Sequence, residues 1–133
     1  MSLRAGRCHI RSVQDRDYAR LEEIYRGHEA SSLPKGYFEM FQDTIRDDQV
    51  LYLVAEVNGK VIGGGGISGY AVATQASLTF GIVDIDECRK GYGTALMLTR
   101  LLLVCPRSEG RQIVLQATEW SAPFFGRLTI GRS

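Results

Sequence analysis

Leu78-Thr79-Phe80-Gly81-Ile82-Val83-Asp84-Ile85-Asp86-Glu87-Cys88-Arg89-Lys90-Gly91-Tyr92-Gly93-Thr94-Ala95-Leu96-Met97 is the stretch that decides how this chain folds. Leu78 to Val83 is a short apolar run rich in strand formers and reads as a buried strand. Asp84 to Lys90 reads as a charged loop. Gly91 opens a helix that continues through Leu101-Leu102-Leu103. A glycine-containing loop between a strand and a helix N-terminus is a place to hold an anion. The first amides of a helix have no intrahelical acceptor, and the helix dipole adds partial positive charge there. Arg89 and Lys90 add two full charges, and Gly91 and Gly93 let a bulky phosphate approach the backbone with no Cβ in the way.

Upstream of this stretch, Val50 to Val57 is rich in β-branched and aromatic residues and reads as a strand, followed by Asn58-Gly59 and Lys60-Val61-Ile62. Asn-Gly between two such runs is a strong hairpin signal, because both turn residues take positive φ. The second arm carries Gly63-Gly64-Gly65-Gly66. Four glycines weaken a strand, so their small size must serve a purpose. A bulge or a closely packed neighbour is the usual one, and approach by a ligand is the alternative. Ile67 to Thr74 leads into a turn, with the central strand starting at Gln75 or Ala76. Cys8 to Val13 is a plausible first strand. Asp15 is placed to cap a helix whose apolar stripe is Tyr18, Leu21, Ile24, Tyr25 and His28. His28 reads as a packing or rim histidine, since a lone histidine carries no partner information. Ala30 to Gly36 is a break, and a second helix covers Tyr37 to Arg46 with Phe38, Phe41 and Ile45 inward.

Downstream, the helix after Gly93 is apolar almost all round, which predicts burial on most sides. Pro106 and Gly110 end it. Gln112 to Ala117 reads as a strand, and strand-helix-strand in this order predicts a right-handed parallel crossover. Ser121 is placed to cap a short helix from Ala122 to Arg127, and Leu128-Thr129-Ile130 could begin a last strand.

With 133 residues the chain reads as a single domain, 1–133. A net charge of +1 provides no electrostatic footprint for nucleic acid. Cys8, Cys88 and Cys105 are odd in number and lack metal-ligand spacing, and only His9 and His28 could supplement them; no metal is expected, and a reducing cytoplasm fits. No apolar run reaches the roughly 20 residues that span a bilayer. Met1-Ser2-Leu3 could be an appended remnant.

Cys88-Arg89-Lys90-Gly91-Tyr92-Gly93 resembles the acyl-CoA-binding motif of the GNAT superfamily of N-acetyltransferases, Gln/Arg-x-x-Gly-x-Gly/Ala at a strand-to-helix junction. Both glycines match, and Cys88 stands where Gln or Arg is usual. The order of elements along nearly the whole chain resembles the family's too. The resemblance implies an α+β fold with helices on both faces of a mixed central sheet, and acetyl-CoA as cosubstrate. It implies that the diphosphate sits on Cys88, Arg89, Lys90, Gly91, Tyr92, Gly93 and Thr94. It further implies that the central strand bulges and parts from its neighbour near Ile82 or Val83, where a backbone N–H would polarise the thioester carbonyl. The pantetheine arm would then lie between Leu78–Val83 and Ile113–Ala117.

Ser121 to Ile130 resembles the family's Ala-x-x-Phe-Tyr-x-x-x-Gly-Phe segment, with departures. Phe125 stands where many members carry a Tyr that protonates the leaving thiolate, and Thr129-Ile130 replaces Gly-Phe. The C-terminal strand region is short. Either a partner chain completes the sheet, as a homodimer would, or the edge is left open, or the native chain runs on. Glu119, Tyr70 and Ser121 are weak candidates for acid and base; a core, rim or exposed-loop role is the plainer reading of each. Cys88, beside a helix N-terminus and two cations, is expected to have a lowered pKa. Direct attack by a small-molecule or peptide amine is the implied chemistry, with a catalytically silent acyl-CoA-binding module as the alternative. A dinucleotide-binding domain is disfavoured, because Leu96 stands where a third glycine would be needed.

Overall fold

The computed structural model describes residues 2–5, 8–29, 36–70, 75–104 and 112–115. Six strands form one sheet in chain order: β1 (Ser2–Ala5), β2 (Cys8–Ser12), β3 (Val50–Val57), β4 (Lys60–Ser68), β5 (Gln75–Val83) and β6 (Gln112–Leu115). Neighbours are antiparallel from β1 to β5, and β6 joins β5 in parallel. Helices α1 (Tyr18–Glu29) and α2 (Phe38–Arg46) precede the central hairpin, and α3 (Tyr92–Val104) connects β5 to β6. This is the mixed α+β architecture the resemblance implies. Two differences lie at the N-terminus. Ser2 to Ala5 is an edge strand in register with Cys8 to Arg11, so Ser2 and Leu3 belong to the sheet. In place of Asp15, the 3-10 turn leading into α1 has Gln14 at its N-cap, closed by Asp17. The Asp17 carboxylate accepts the Gln14 N–H at 2.8 Å and takes the Arg11 guanidinium at 2.7 and 3.0 Å. Asp15 stays exposed.

Strand periodicity divides the core between the two faces. On β3, Tyr52 and Val54 pack with Leu21, Ile24 and Tyr25 of α1 and Phe41 and Ile45 of α2. Their neighbours Leu53 and Ala55 pack on the opposite face with Leu96 of α3, as the two-residue repeat requires. On β5 the phase switches midway. Ala76 and Leu78 face α3, whereas Phe80 and Ile82 face α1 and α2. The cause is a bulge. Gly66 pairs with Thr79 and Gly64 with Ile82, so Gly65 alone opposes Phe80 and Gly81. Phe80 has φ of 46°, a left-handed conformation that costs a bulky residue energy and needs surrounding structure to hold it. Tyr52 Oη donates to Phe80 O at 2.8 Å, and the Phe41 ring lies 5.5 Å from the Phe80 ring. Tyr52→Phe is therefore expected to lower stability by about 1 kcal/mol, read as a shifted denaturant midpoint with an unchanged slope.

The hairpin and the glycine run are both explained by local geometry. Asn58 and Gly59 have φ of 53° and 82°, the turn that Asn-Gly predicts. At Gly64 a Cβ would lie 2.6 Å from the Tyr52 ring, and at Gly65 2.5 Å from Arg100 Cζ. Close packing and the bulge account for these glycines, with side chains pressed on both faces. Helix α3 departs from the all-round apolar reading. Leu98 and Leu102 are 51% and 70% exposed, whereas Thr99 and Arg100 are buried. Arg100 donates to Leu96 O at 3.2 Å and Gly66 O at 3.3 Å, so the absent side chain at Gly65 makes room for a buried guanidinium.

Candidate functional site

Strand β5 ends at Val83, and the chain makes a single 3-10 turn, Ile85 to Glu87, before α3. Asp84 starts this turn: its Oδ1 accepts the Asp86 N–H at 3.0 Å, and its carbonyl accepts the Glu87 N–H at 2.8 Å. Arg89 and Gly91 then take positive φ, 69° and 88°. The helical ladder begins with Ala95 N–H to Gly91 O at 3.0 Å. The amides of Gly91, Tyr92, Gly93 and Thr94 thus precede the ladder and form the unsatisfied positive end of α3. Successive amides around a left-handed residue form a concave donor set suited to an anion. A Cβ at Gly91 would meet nothing within 4 Å, so the space over the backbone is open. Arg89 and Lys90 are exposed beside it. Lys90 pairs with Glu87 at 3.1 Å, whereas Arg89 makes no ion pair among the described residues.

The turn is anchored from α1. Arg20 pairs with the Asp84 carboxylate and donates from Nε to Val61 O at 2.9 Å. Burial alone pushes the Asp84 carboxyl up, but the Asp86 N–H and the Arg20 guanidinium hold it below the usual carboxylate range. Asp17 behaves alike: burial raises it, and Arg11 with the Gln14 N–H outweighs burial. Both carboxyls have lower pKa folded than unfolded. Their stabilisation is fully present above the unfolded carboxylate range and disappears as pH falls through the lowered folded values. Stability is therefore expected to decline on acidification below about pH 4, and Asp17→Asn to flatten that decline and cost about 2 kcal/mol at neutral pH. Urea titrations across pH 3 to 7 measure both.

Cys88 departs from expectation. Its thiol is pushed up, by partial burial first and then by Asp84 and Asp86, with Arg89 opposing. The carboxylates of the turn lie close enough to outweigh the cation, and Cys88 Sγ rests 3.5 Å from Asp84 O and 3.9 Å from Val83 O. A thiol whose pKa is raised is a weaker nucleophile than one tuned toward the thiolate.

The parallel ladder between β5 and β6 runs from Gln75↔Gln112 to Leu78↔Leu115. From Thr79 onward, β5 pairs only with β4 among the described residues. Asp84 N–H bonds to Ile62 O at 2.7 Å on the β4 side. In a trans peptide the carbonyl points opposite to the N–H, so Val83 O faces the other edge, away from β4. Peptides alternate along a strand, so Val83 N–H faces that edge as well. His28, at the C-terminal end of α1, donates from Nε2 to Val83 O. Ile82 and Val83 are thus brought next to the loop of Cys88 to Thr94. Tyr70 is not: it packs with Ile67, Ala76 and Met97 beyond Ser68, which pairs with Ser77. Six residues of strand separate that level from Val83, roughly 20 Å. Glu119, Ser121 and Phe125 lie outside the described residues, as do Gln116 and Ala117 of the expected last strand. Arg20 and the Val83 contact of His28 escaped the sequence reading, because partners 64 and 55 residues apart leave no local signal. Among the described residues no group of three or more His, Cys, Asp or Glu side chains could hold a metal, and no helix is long and apolar enough to cross a membrane.

Residues 18–122 match the family model described as Acetyltransferase (GNAT) family, and the chain belongs to that family. By family it is an acetyltransferase. A comparison with curated proteins gives no match. Among solved structures, a GNAT family acetyltransferase from Brucella melitensis in complex with acetyl-CoA superimposes with a TM-score of 0.69 at 22% identity, over 90% of this chain and 80% of that one. The PaiA N-acetyltransferase from Thermoplasma acidophilum in complex with coenzyme A gives 0.60 at 19%, over 75% and 73%. An aminoglycoside acetyltransferase from an uncultured soil metagenomic sample, in complex with sisomicin, gives 0.55 at 20%, over 84% and 78%. At these identities the likeness is one of fold.

Proposed function

We propose that the loop from Cys88 to Thr94 grips the diphosphate of acetyl-CoA and that the side of β5 facing away from β4 takes its arm. The acetyl group then passes directly to a small-molecule or peptide amine. The observation that carries this reading is the backbone at the junction. Left-handed Arg89 and Gly91 precede four helix-start amides, and the space over Gly91 is empty. Among the described residues the β5–β6 ladder stops at Leu78, and the side of β5 that faces away from β4 runs from there to where that loop starts. An extended arm laid along it meets main-chain donors and acceptors, as an added strand would. Val83 N–H, aimed at the same edge, would stabilise negative charge developing on the thioester oxygen, a type of contact worth roughly 3–4 kcal/mol per donor. The C–N bond forms as the C–S bond breaks; the amine loses a proton and the thiolate gains one. Positioning alone supplies a large share of such a rate. A cytoplasmic location accords with free thiols at Cys8 and Cys88.

The test has two stages. Acetyl-CoA should bind in calorimetry, with heat that depends on Arg89. Thiol release should then be followed against a panel of polyamines, aminoglycosides and peptide amines. Turnover with at least one amine is expected. Binding without turnover across the panel would turn the reading toward a silent acyl-CoA-binding module, and no binding would end it.

A further inference from the structure

The Val83–Asp84 peptide is where β5 gives way to the proposed diphosphate loop, and it is pinned from both sides. Its N–H is held by Ile62 O on β4, and its carbonyl receives His28 Nε2 from α1. Cys88 Sγ lies 3.9 Å from the same oxygen, on the loop side. Arg20, Ile24 and His28 are spaced four residues apart and so line one stripe of α1. Ile24 is buried in the core, and Arg20 holds the Asp84 carboxylate while His28 holds the Val83 carbonyl. One helix thereby sets both the orientation of the last strand peptide and the position of the turn that follows.

Resting on the proposed cofactor reading, we infer that His28 is a positioning residue for the acyl-donor arm: its Nε2–H orients the Val83 carbonyl and with it the main-chain edge along which the arm must lie. The oxygen takes the His28 donor and has the Cys88 thiol 3.9 Å away, so His28 fixes the tilt of this peptide, and the Val83 N–H, which points the same way, is presented to the arm. The diphosphate, gripped by the amides of Gly91 to Thr94, does not depend on this contact. His28 therefore acts on one part of the ligand and not on the other. That separates positioning from a general role in stability.

The experiment measures affinity for two ligands, acetyl-CoA and adenosine 3′-phosphate 5′-diphosphate, which carries the diphosphate but lacks the arm. It uses the whole chain and His28→Ala, His28→Phe and His28→Gln. His28→Phe keeps a ring of similar size without a donor, so a loss of packing in the alanine variant does not obscure the result. His28→Gln returns an N–H at about the reach of Nε2. Loss of the donor is expected to weaken acetyl-CoA about tenfold, the scale of one buried carbonyl left unpaired. The arm-less ligand should bind as to the wild type, KM for acetyl-CoA should rise more than kcat falls, and His28→Gln should restore most of the affinity. Equal weakening of both ligands, no change in either, or tighter binding of acetyl-CoA would each overturn the inference. Failure of the wild-type chain to bind acetyl-CoA would overturn the cofactor reading itself, which is a different result.

Discussion

Gly91→Glu is expected to abolish acetyl-CoA binding while the fold survives. Gly91 has φ of 88°, where an L side chain adds roughly 1–2 kcal/mol of local strain. Its Cβ direction is empty, so the new side chain meets no packed neighbour. The carboxylate would stand over the helix-start amides. There it complements the α3 dipole and partly offsets the strain, but it also occupies and repels the place of a diphosphate. Folding should fall only modestly, and affinity by more than about a hundredfold, near 3 kcal/mol. Calorimetry on the variant, with thermal unfolding alongside, gives both quantities. Affinity within a few-fold of wild type would remove the diphosphate from this loop.

Gly63→Ala should produce the largest loss of stability of any single methyl added to the sheet. The new Cβ would lie 2.5 Å from Ile82 O and 3.2 Å from Val83 Cα. Both are backbone atoms of β5 and cannot swing away as a flexible side chain could. Leu96 Cδ1, at 3.4 Å, closes the remaining direction from α3. Overpacking of this kind costs about 1–3 kcal/mol, and the upper end is expected because the strain falls on main chain at two points. Val83 would be displaced with it, so acetyl-CoA affinity should fall in whatever fraction remains folded. Gly27→Ala is the contrasting change. It lies in α1 with nothing within 4 Å of its Cβ. It should stabilise by roughly 0.5–1 kcal/mol, the helix preference for alanine over glycine. A stable, fully active Gly63→Ala protein would mean that β4 and β5 are not packed as described.

Much of the site was legible because its signal is local. Gly91 and Gly93 mark the loop, Asn58-Gly59 marks the hairpin, and the apolar run from Ala95 marks the crossover helix; the φ values of Asn58, Gly59 and Gly91 are those such residues are selected for. What escaped the sequence shares another trait. Phe80 in a left-handed conformation contradicts its own preference and exists because Tyr52, from β3, holds its carbonyl and Phe41, from α2, packs on its ring. Arg100 reads as one polar residue on an apolar helix, and it is buried because Gly65, 35 positions earlier, leaves room. The cations next to Cys88 predict a lowered thiol pKa, yet desolvation and the folded turn's carboxylates push it up.

Local preferences along 133 residues were enough to set the order of elements, the hairpin, the glycine loop and the family they resemble. Periodicity and turn chemistry act over a few residues, so they survive without knowledge of the fold. The phase switch in β5 and the grip of α1 on Val83 and Asp84 were decided by tertiary contact alone. Each depends on which distant backbone group a side chain meets, and that follows from packing two faces of one sheet at once.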